Sequence, residues 1–127
     1  MQSRIDHFIN DFYADMDSRV LSKQFVADYF TDGAKLSHFG EIFKDLDGVE
    51  AWYDSLKAGF EDSVHMVKNV QYKEFDDVVA VQADIVWTAA FRNMDKNNKI
   101  LYKADVRMDL IDVNGRFYIK NYKSAAA

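Results

Sequence analysis

The sequence predicts an α+β fold in which a strongly curved, mainly antiparallel sheet wraps around three helices. Two observations support this class: apolar residues recur at helical spacing in the first half of the chain, and they alternate along strands in the second. The stretch 63–91 is central, because it is typical of two long strands joined at Asp76-Asp77. Since 127 residues suit one hydrophobic core, we expect a single domain over 1–127, with an unstructured tail at 123–127.

Three helices follow from apolar stripes. The first runs from Ser3, its predicted N-cap, to about Asp17, and the second covers 22–29 with a serine cap. The third opens at the capping box 47–50 and closes at Gly59, a candidate left-handed cap. The inward positions are Ile5, Phe8, Ile9, Phe12 and Met16, then Phe25, Val26 and Tyr29, then Val49, Trp52, Tyr53, Leu56 and Phe60.

Two short segments lie between the second and third helices. After a break at 31–33, residues 34–39 suit a short strand, and 41–43 suit either a second short strand or a loop. The expected sheet therefore begins before the third helix.

The long strands should form an antiparallel meander. A polar turn is predicted at 95–98, and it is followed by alternating apolar and polar residues over 102–110. Asn114-Gly115 is the strongest turn signal, since both central residues of a type I′ turn need positive φ. The last strand is expected over 117–122.

The strand before residue 91 is apolar on both faces. One face carries Val79, Val81, Ala83, Ile85, Trp87, Ala89 and Phe91, and the other carries Val78, Ala80, Val86, Thr88 and Ala90. Successive side chains of a strand point to opposite faces, so both faces should be covered. The helices can cover one face, and we expect a partner subunit or a bound ligand on the other.

Composition excludes several classes of function. A net charge of -5 without a cluster of basic residues disfavours nucleic acid, and the absence of cysteine excludes disulfides and thiolate metal sites. No segment has the length and apolarity of a signal peptide or a membrane span, so we expect a cytosolic protein. The three histidines lack the spacing of a metal motif, and no nucleotide-binding or serine-nucleophile motif occurs, so neither metal nor cofactor is expected.

Four landmarks give the chain a family resemblance. They are 30–34 (FTDGA), 47–50 (DGVE), 63–69 (SVHMVKN) and 114–117 (NGRF). In this order the chain resembles the nuclear transport factor two-like superfamily and its SnoaL-like group. The resemblance implies a cone-shaped, cystatin-like α+β barrel with a deep apolar pocket, commonly dimerising through the outer sheet. Such proteins include isomerases, dehydratases, polyketide cyclases, dioxygenase partner subunits and non-catalytic binders, so fold alone does not choose a reaction.

Four residues are candidates for proton chemistry. His65 shares a strand face with Val67 and is similar to pocket histidines of SnoaL-like and scytalone-dehydratase-like members, although a core histidine is the ordinary alternative. His38 lies where steroid-isomerase-like members carry an aspartate base, and it is equally consistent with a surface loop. Tyr13 resembles their oxyanion-binding tyrosine, with Phe12 as the alternative aligned residue and an ordinary packed tyrosine as the commoner case. Asp84 interrupts an apolar strand and is either a pocket acid or, from its parity, a residue of the outer face.

A set of apolar and aromatic residues is expected to line the pocket for a flat apolar ligand, although most of them also suit a plain core: Trp52, Tyr53, Phe60, Val67, Tyr72, Trp87, Phe91 and Met108. The second acid of a steroid isomerase has no counterpart near 106–107, which argues against that reaction in the strict sense.

These features favour a homodimeric protein that binds a small apolar or aromatic molecule. If it is an enzyme, the expected chemistry is cofactor-free isomerisation, dehydration or cyclisation of a carbonyl compound. Two alternatives stay open: a non-catalytic binding or scaffold module, and an accessory subunit of an oxygenase.

Overall fold

Three helices pack on the inner face of a curved six-stranded sheet, which confirms the predicted α+β cone. The computed structural model describes residues 1–92 and 99–127. The elements in chain order are α1 (Gln2–Asp17), α2 (Ser22–Tyr29), β1 (Phe30–His38), β2 (Glu41–Lys44), α3 (Asp45–Gly59), β3 (Phe60–Glu74), β4 (Val79–Phe91), β5 (Lys99–Val113) and β6 (Arg116–Ala126).

The sheet has the strand order β2-β1-β6-β5-β4-β3. Strands β3 to β6 form the predicted antiparallel meander, while β1 pairs parallel to β6 and antiparallel to β2. Asp62 and Asn69 take positive φ where the β3–β4 register shifts, and Lys120 is an extra residue in β6. Such bulges bend a strand, so they contribute to the curvature that makes room for the helices.

Both predicted tight turns are present. Asp76 and Asp77 join β3 to β4, and the amide of Phe75 donates a hydrogen bond to the carbonyl of Val78 at 2.9 Å. Asn114 and Gly115 have φ values of 54° and 87°, the left-handed pair that a type I′ turn requires. The turn predicted at 95–98 lies outside the described residues.

Helix ends differ from the sequence prediction because tertiary contacts, not side-chain caps, define them. None of the three helices has a side-chain hydrogen bond at its N-cap, so Ser3, Ser22 and Asp47 do not act as caps. Gly59 does not take a left-handed conformation, since α3 passes directly into extended backbone at Phe60. Strand β1 likewise begins four residues before the predicted start, because it leaves α2 already extended.

The C-terminal segment belongs to the sheet. Strand β6 continues to Ala126, and Ser124, Ala125 and Ala126 pair with β5. The expectation of an unstructured tail at 123–127 is therefore wrong for 123–126. The hydrogen bonds to β5 and the burial of the Ser124 side chain hold this segment in place.

The two faces of the sheet have different environments. Along β4 the odd-numbered residues from Val79 to Ala89 are buried against the helices, and the even-numbered ones from Ala80 to Thr88 are half-exposed on the outer face. On that face Val64 and Met66 are each 51% exposed, and Leu101 is 62% exposed. Within the described part of the chain, no helix is both long and apolar enough to cross a membrane.

Candidate active site

A cavity opens between α1, α3 and the inner face of the sheet. Its volume is about 410 Å³ including the open mouth, and about 30 Å³ lies far enough from every atom to hold the centre of a water molecule. The interior is therefore narrow. The lining residues are Tyr13, Met16, His38, Phe39, Trp52, Leu56, His65, Ile85, Trp87, Tyr102, Ala104, Val106, Tyr122 and Ser124.

His65 is paired with Asp17 at one side of this cavity. The Nδ1 atom of His65 lies 2.6 Å from Oδ1 of Asp17, and the backbone N–H of His65 donates to Oδ2 of Asp17 at 2.7 Å. The side chains are 11% and 18% exposed, so little water competes for this pair. The carboxylate orients the imidazole, and the Nε2 atom of His65 forms no hydrogen bond to any described residue. This arrangement suits a general base.

The backbone brings this pair together through simple periodicities. Tyr13 and Asp17 are four residues apart on α1, so both project from one helix face. His65 and Trp87 are directly opposite each other in the β3–β4 ladder, and Tyr102 is opposite Trp87 in the next strand.

Aromatic rings hold the imidazole of His65 on both sides. Tyr13 stacks on it with ring centroids 4.7 Å apart, and Trp87 stacks on it at 5.6 Å. Trp87 in turn stacks on Tyr102 at 6.1 Å. The ring of His65 therefore has little freedom to rotate away from Asp17.

His38 faces the same cavity from β1. Its Nδ1 atom is 2.8 Å from Oγ of Ser124, which is its register partner in β6. Burial, and then the nearby His65, lower the pKa of His38 below its ordinary value of 6.5. This histidine is accordingly kept neutral at neutral pH.

A pair of tyrosine hydroxyls lies deep in the cavity wall. The hydroxyl oxygens of Tyr13 and Tyr122 are 2.9 Å apart. Burial, followed by the contact with Tyr122, raises the pKa of Tyr13, and burial raises the pKa of Tyr122 to about 12. Both phenols are protonated at neutral pH and act as hydrogen-bond donors or acceptors, not as bases.

The indole of Trp52 adds a donor to this wall. Its side chain is 2% exposed, and among the residues in the described ranges Nε1 of Trp52 is the one buried side-chain polar atom without a hydrogen-bond partner. Its ring lies 5.8 Å from those of both His38 and Tyr122. A ligand oxygen or a water molecule at this point would satisfy it.

The predicted site residues fall into three groups. Tyr13, His38 and His65 line the cavity together with Trp52 and Trp87. Tyr53 and Phe60 line a smaller adjoining hollow on the other side of His65. A third group lines neither space: Val67, Tyr72, Phe91 and Met108.

Asp84 is not a cavity residue. It lies on the outer face with Val86, where Asn69 and Gln82 donate hydrogen bonds to it at 2.9 and 3.2 Å. This position corrects the expectation of a pocket acid and agrees with the outer-face alternative that the parity of Asp84 predicts.

Three residues of the site were not predicted from the sequence: Asp17, Ser124 and Tyr122. Asp17 was only the approximate end of the first predicted helix, and Ser124 was in the expected tail. One signal was available for Asp17: an acid one turn beyond Tyr13 and next to Met16 lies at the border of the apolar stripe. No group of three or more His, Cys, Asp or Glu residues is placed to hold a metal within the described ranges.

Comparison with solved structures agrees with the fold. A scytalone dehydratase-like protein from Novosphingobium aromaticivorans superposes with a TM-score of 0.88 at 11% identity, covering 99% of this chain and 83% of that one. Hexachlorocyclohexane dehydrochlorinase LinA-type3 from Novosphingobium barchaimii gives 0.82 at 16%, with 98% and 85% coverage. An aromatic ring hydroxylase-like protein from Novosphingobium aromaticivorans gives 0.84 at 11%, with 97% and 86% coverage.

These structures share the nuclear transport factor two-like, SnoaL-like fold, which confirms the predicted resemblance at the level of the fold. No protein-family model matches the sequence, and no curated protein matches it either. At such low identity the likeness carries the fold and not the activity.

Proposed function

We propose that this chain, whose fold is that of the nuclear transport factor two-like superfamily, is a lyase that removes water or a comparable leaving group from a small neutral molecule. The observation that carries the proposal is the His65–Asp17 pair, with Nδ1 of His65 2.6 Å from the carboxylate and Nε2 left unbonded by the described residues. A histidine held in this way is equipped to remove a proton from carbon.

The bond changes can be written with these groups. Nε2 of His65 takes a proton from a C–H bond, the electrons of that bond form a C=C bond, and the neighbouring C–O bond breaks. Neutral His38 and the tyrosine hydroxyls lie in the same wall, where they can donate hydrogen bonds to the departing oxygen. That oxygen takes up the proton removed by His65 and leaves as water, so the imidazole is regenerated without a cofactor.

The lining indicates the kind of substrate. None of the described lining residues is lysine or arginine, and most of the wall is aromatic or aliphatic. An anionic substrate would lose its hydration without gaining a cation, so a neutral, flat and largely apolar molecule is favoured. Two solved structures of the same fold carry the names of elimination enzymes, a dehydratase and a dehydrochlorinase, which supports this reaction class.

A panel of neutral cyclic hydroxyketones and halides tests the proposal. The wild type should catalyse elimination from at least one compound, and His65→Gln should lower kcat/KM by about 10²- to 10⁴-fold while its melting temperature stays close to the wild type's. His7→Gln is the matched control, because His7 is exposed on α1. Turnover that survives in His65→Gln would contradict the assigned base.

A non-catalytic binding module is the second candidate, and the narrow interior favours it. Only about 30 Å³ is open to the centre of a water molecule, so a ligand must displace lining side chains, of which Tyr102 and Phe39 are the exposed aromatic ones. In that case ligands would quench tryptophan fluorescence with saturation, and no product would form from any of them. An accessory role beside an oxygenase belongs to the same outcome, since the pocket would then bind without reacting.

The outer face of the sheet is proposed to associate with a second copy in the cytosol. Half-exposed Val64, Met66 and Leu101 support this, because exposed apolar patches on a sheet commonly mark interfaces. Sedimentation at micromolar concentration should give a dimer, and Met66→Lys should shift it toward the monomer. A wild-type monomer would contradict the proposal.

A further inference from the structure

A hydrogen-bonded chain beside the cavity reaches the same carboxylate oxygen of Asp17 that the imidazole of His65 contacts. The indole Nε1 of Trp87 is 2.9 Å from Oγ of Ser63, and that Oγ is 2.9 Å from Oδ1 of Asp17. Ser63 and His65 are two residues apart on β3, so they project to the same face of the strand. Ser63 does not line the main cavity.

The direction of every bond in this chain is determined by chemistry. An indole nitrogen can only donate, so Ser63 Oγ must accept from Trp87. The single hydroxyl proton of Ser63 is then free to donate to Asp17, which must accept it. Trp87 thereby decides which way the Ser63 hydroxyl points.

The protonated ring nitrogen of His65 can be identified in the same way. Oδ1 of Asp17 accepts a hydrogen bond from the hydroxyl of Ser63, and Oδ2 accepts one from the backbone N–H of His65. If Nδ1 of His65 were an acceptor, Asp17 would have to carry a proton on Oδ1, the oxygen that already accepts from Ser63. Nδ1 therefore carries the proton, and Nε2 presents its lone pair.

We infer that Ser63 is a positioning residue: oriented by Trp87, it holds Asp17 as an acceptor and so keeps His65 in the tautomer with a free Nε2. The catalytic part of this inference rests on the proposed function, whereas the tautomer itself does not. The titratable groups near His65 include Tyr13, whose ring stacks on it, and His38 across the cavity. Arg19 and Lys57 line the adjoining hollow together with Ser63 and His65. None of these four forms a hydrogen bond to the ring of His65 among the described residues.

Nitrogen–proton correlation spectra of the whole protein test the tautomer directly, without substrate. At alkaline pH, where an imidazole holds a single proton, wild-type His65 should show a protonated Nδ1 and an unprotonated Nε2. In Ser63→Ala and in Trp87→Phe, the tautomer protonated at Nε2 should appear beside it. Ser63→Thr keeps the hydroxyl and should restore the single tautomer.

Steady-state kinetics provide a second test of the role of Ser63. Ser63→Ala should lower kcat about 10-fold, because the carboxylate of Asp17 loses one of its hydrogen bonds, with KM within about 2-fold of the wild type. Ser63→Thr should recover most of that loss. A wild-type His65 protonated at Nε2, or a Ser63→Ala protein with an unchanged tautomer, would overturn the inference. The predicted tautomer without turnover on any compound would instead count against the proposed function alone.

Discussion

The two histidines of the cavity differ in what binds their Nδ1 atoms. His65 faces a carboxylate, Asp17, at 2.6 Å, while His38 faces a hydroxyl, Ser124, at 2.8 Å. A carboxylate stabilises the imidazolium that forms when a base takes a proton, whereas a hydroxyl provides no charge. The comparison teaches that the same residue type has an anionic partner on one side of the cavity and an uncharged partner on the other.

The largest effect is expected when the carboxylate of Asp17 beside His65 is replaced. Asp17→Asn removes the carboxylate that orients His65 and stabilises its protonated form, so kcat/KM for elimination should fall by about 10²- to 10⁴-fold. Ser124→Ala, the matched change beside His38, should cost about 10-fold or less because no charge is lost. Steady-state assays of the two variants decide the matter: equal losses would mean that the histidines are not specialised.

The next effect concerns His38 and the pH dependence of the free energy of unfolding. The pKa of His38 is lowered by burial and by His65, so as pH falls below 6.5 the unfolded chain binds a proton that the folded chain refuses. Because of this histidine, the folded state loses stability as pH falls from 6.5 to the lower pKa of the folded protein. His38→Asn should flatten the fall in unfolding free energy from about pH 7 to about pH 5, measured in denaturant titrations. A wild-type slope in His38→Asn would contradict the shift.

A smaller effect is expected for the hydrogen-bonded hydroxyls of Tyr13 and Tyr122. Tyr13→Phe keeps the ring that stacks on His65 but leaves the buried hydroxyl of Tyr122 without its partner, so unfolding free energy should drop by about 1 to 3 kcal/mol. The double change with Tyr122→Phe should cost less than the sum of the single changes, since no orphan remains. Denaturant unfolding of the three variants measures this. Additive losses would show that the hydroxyls do not interact.

The smallest effect is expected on the outer face. Asp84→Asn keeps the shape of a side chain that contacts Asn69 and Gln82 outside the cavity, so turnover should stay within about 2-fold and stability within about 0.5 kcal/mol. Parallel assays with Asp17→Asn provide the contrast between the two acids. A large loss of turnover in Asp84→Asn would mean that the outer face takes part in the reaction.

Much of the fold could be predicted because local sequence patterns determine its helices, strands and turns. The period of the apolar residues indicated each helix and long strand, and Asn114-Gly115 indicated its turn. Helix caps were less predictable: the structure uses none of Ser3, Ser22 or Asp47 for this purpose, because packing determines where these helices begin. The C-terminal alanines look unstructured alone and are ordered only by pairing with β5.

The site was predictable only in part. Tyr13, His38 and His65 were chosen for their residue type and the family resemblance, with strand parity as a further reason for His65. The structure brings them to one cavity, although their roles stay predictions. Asp17 was not chosen, since a helix-end acid is normally solvated.

By itself, the sequence determined the elements, their order and the sheet face on which each side chain lies, because these depend on neighbours a few residues apart. Only the tertiary structure decided which side chains meet. Asp17 contacts His65 across 48 residues and His38 contacts Ser124 across 86, and such pairings depend on the curvature and register of the whole sheet. A local pattern specifies which face of a strand a side chain takes, but not which distant residue lies opposite it on that face.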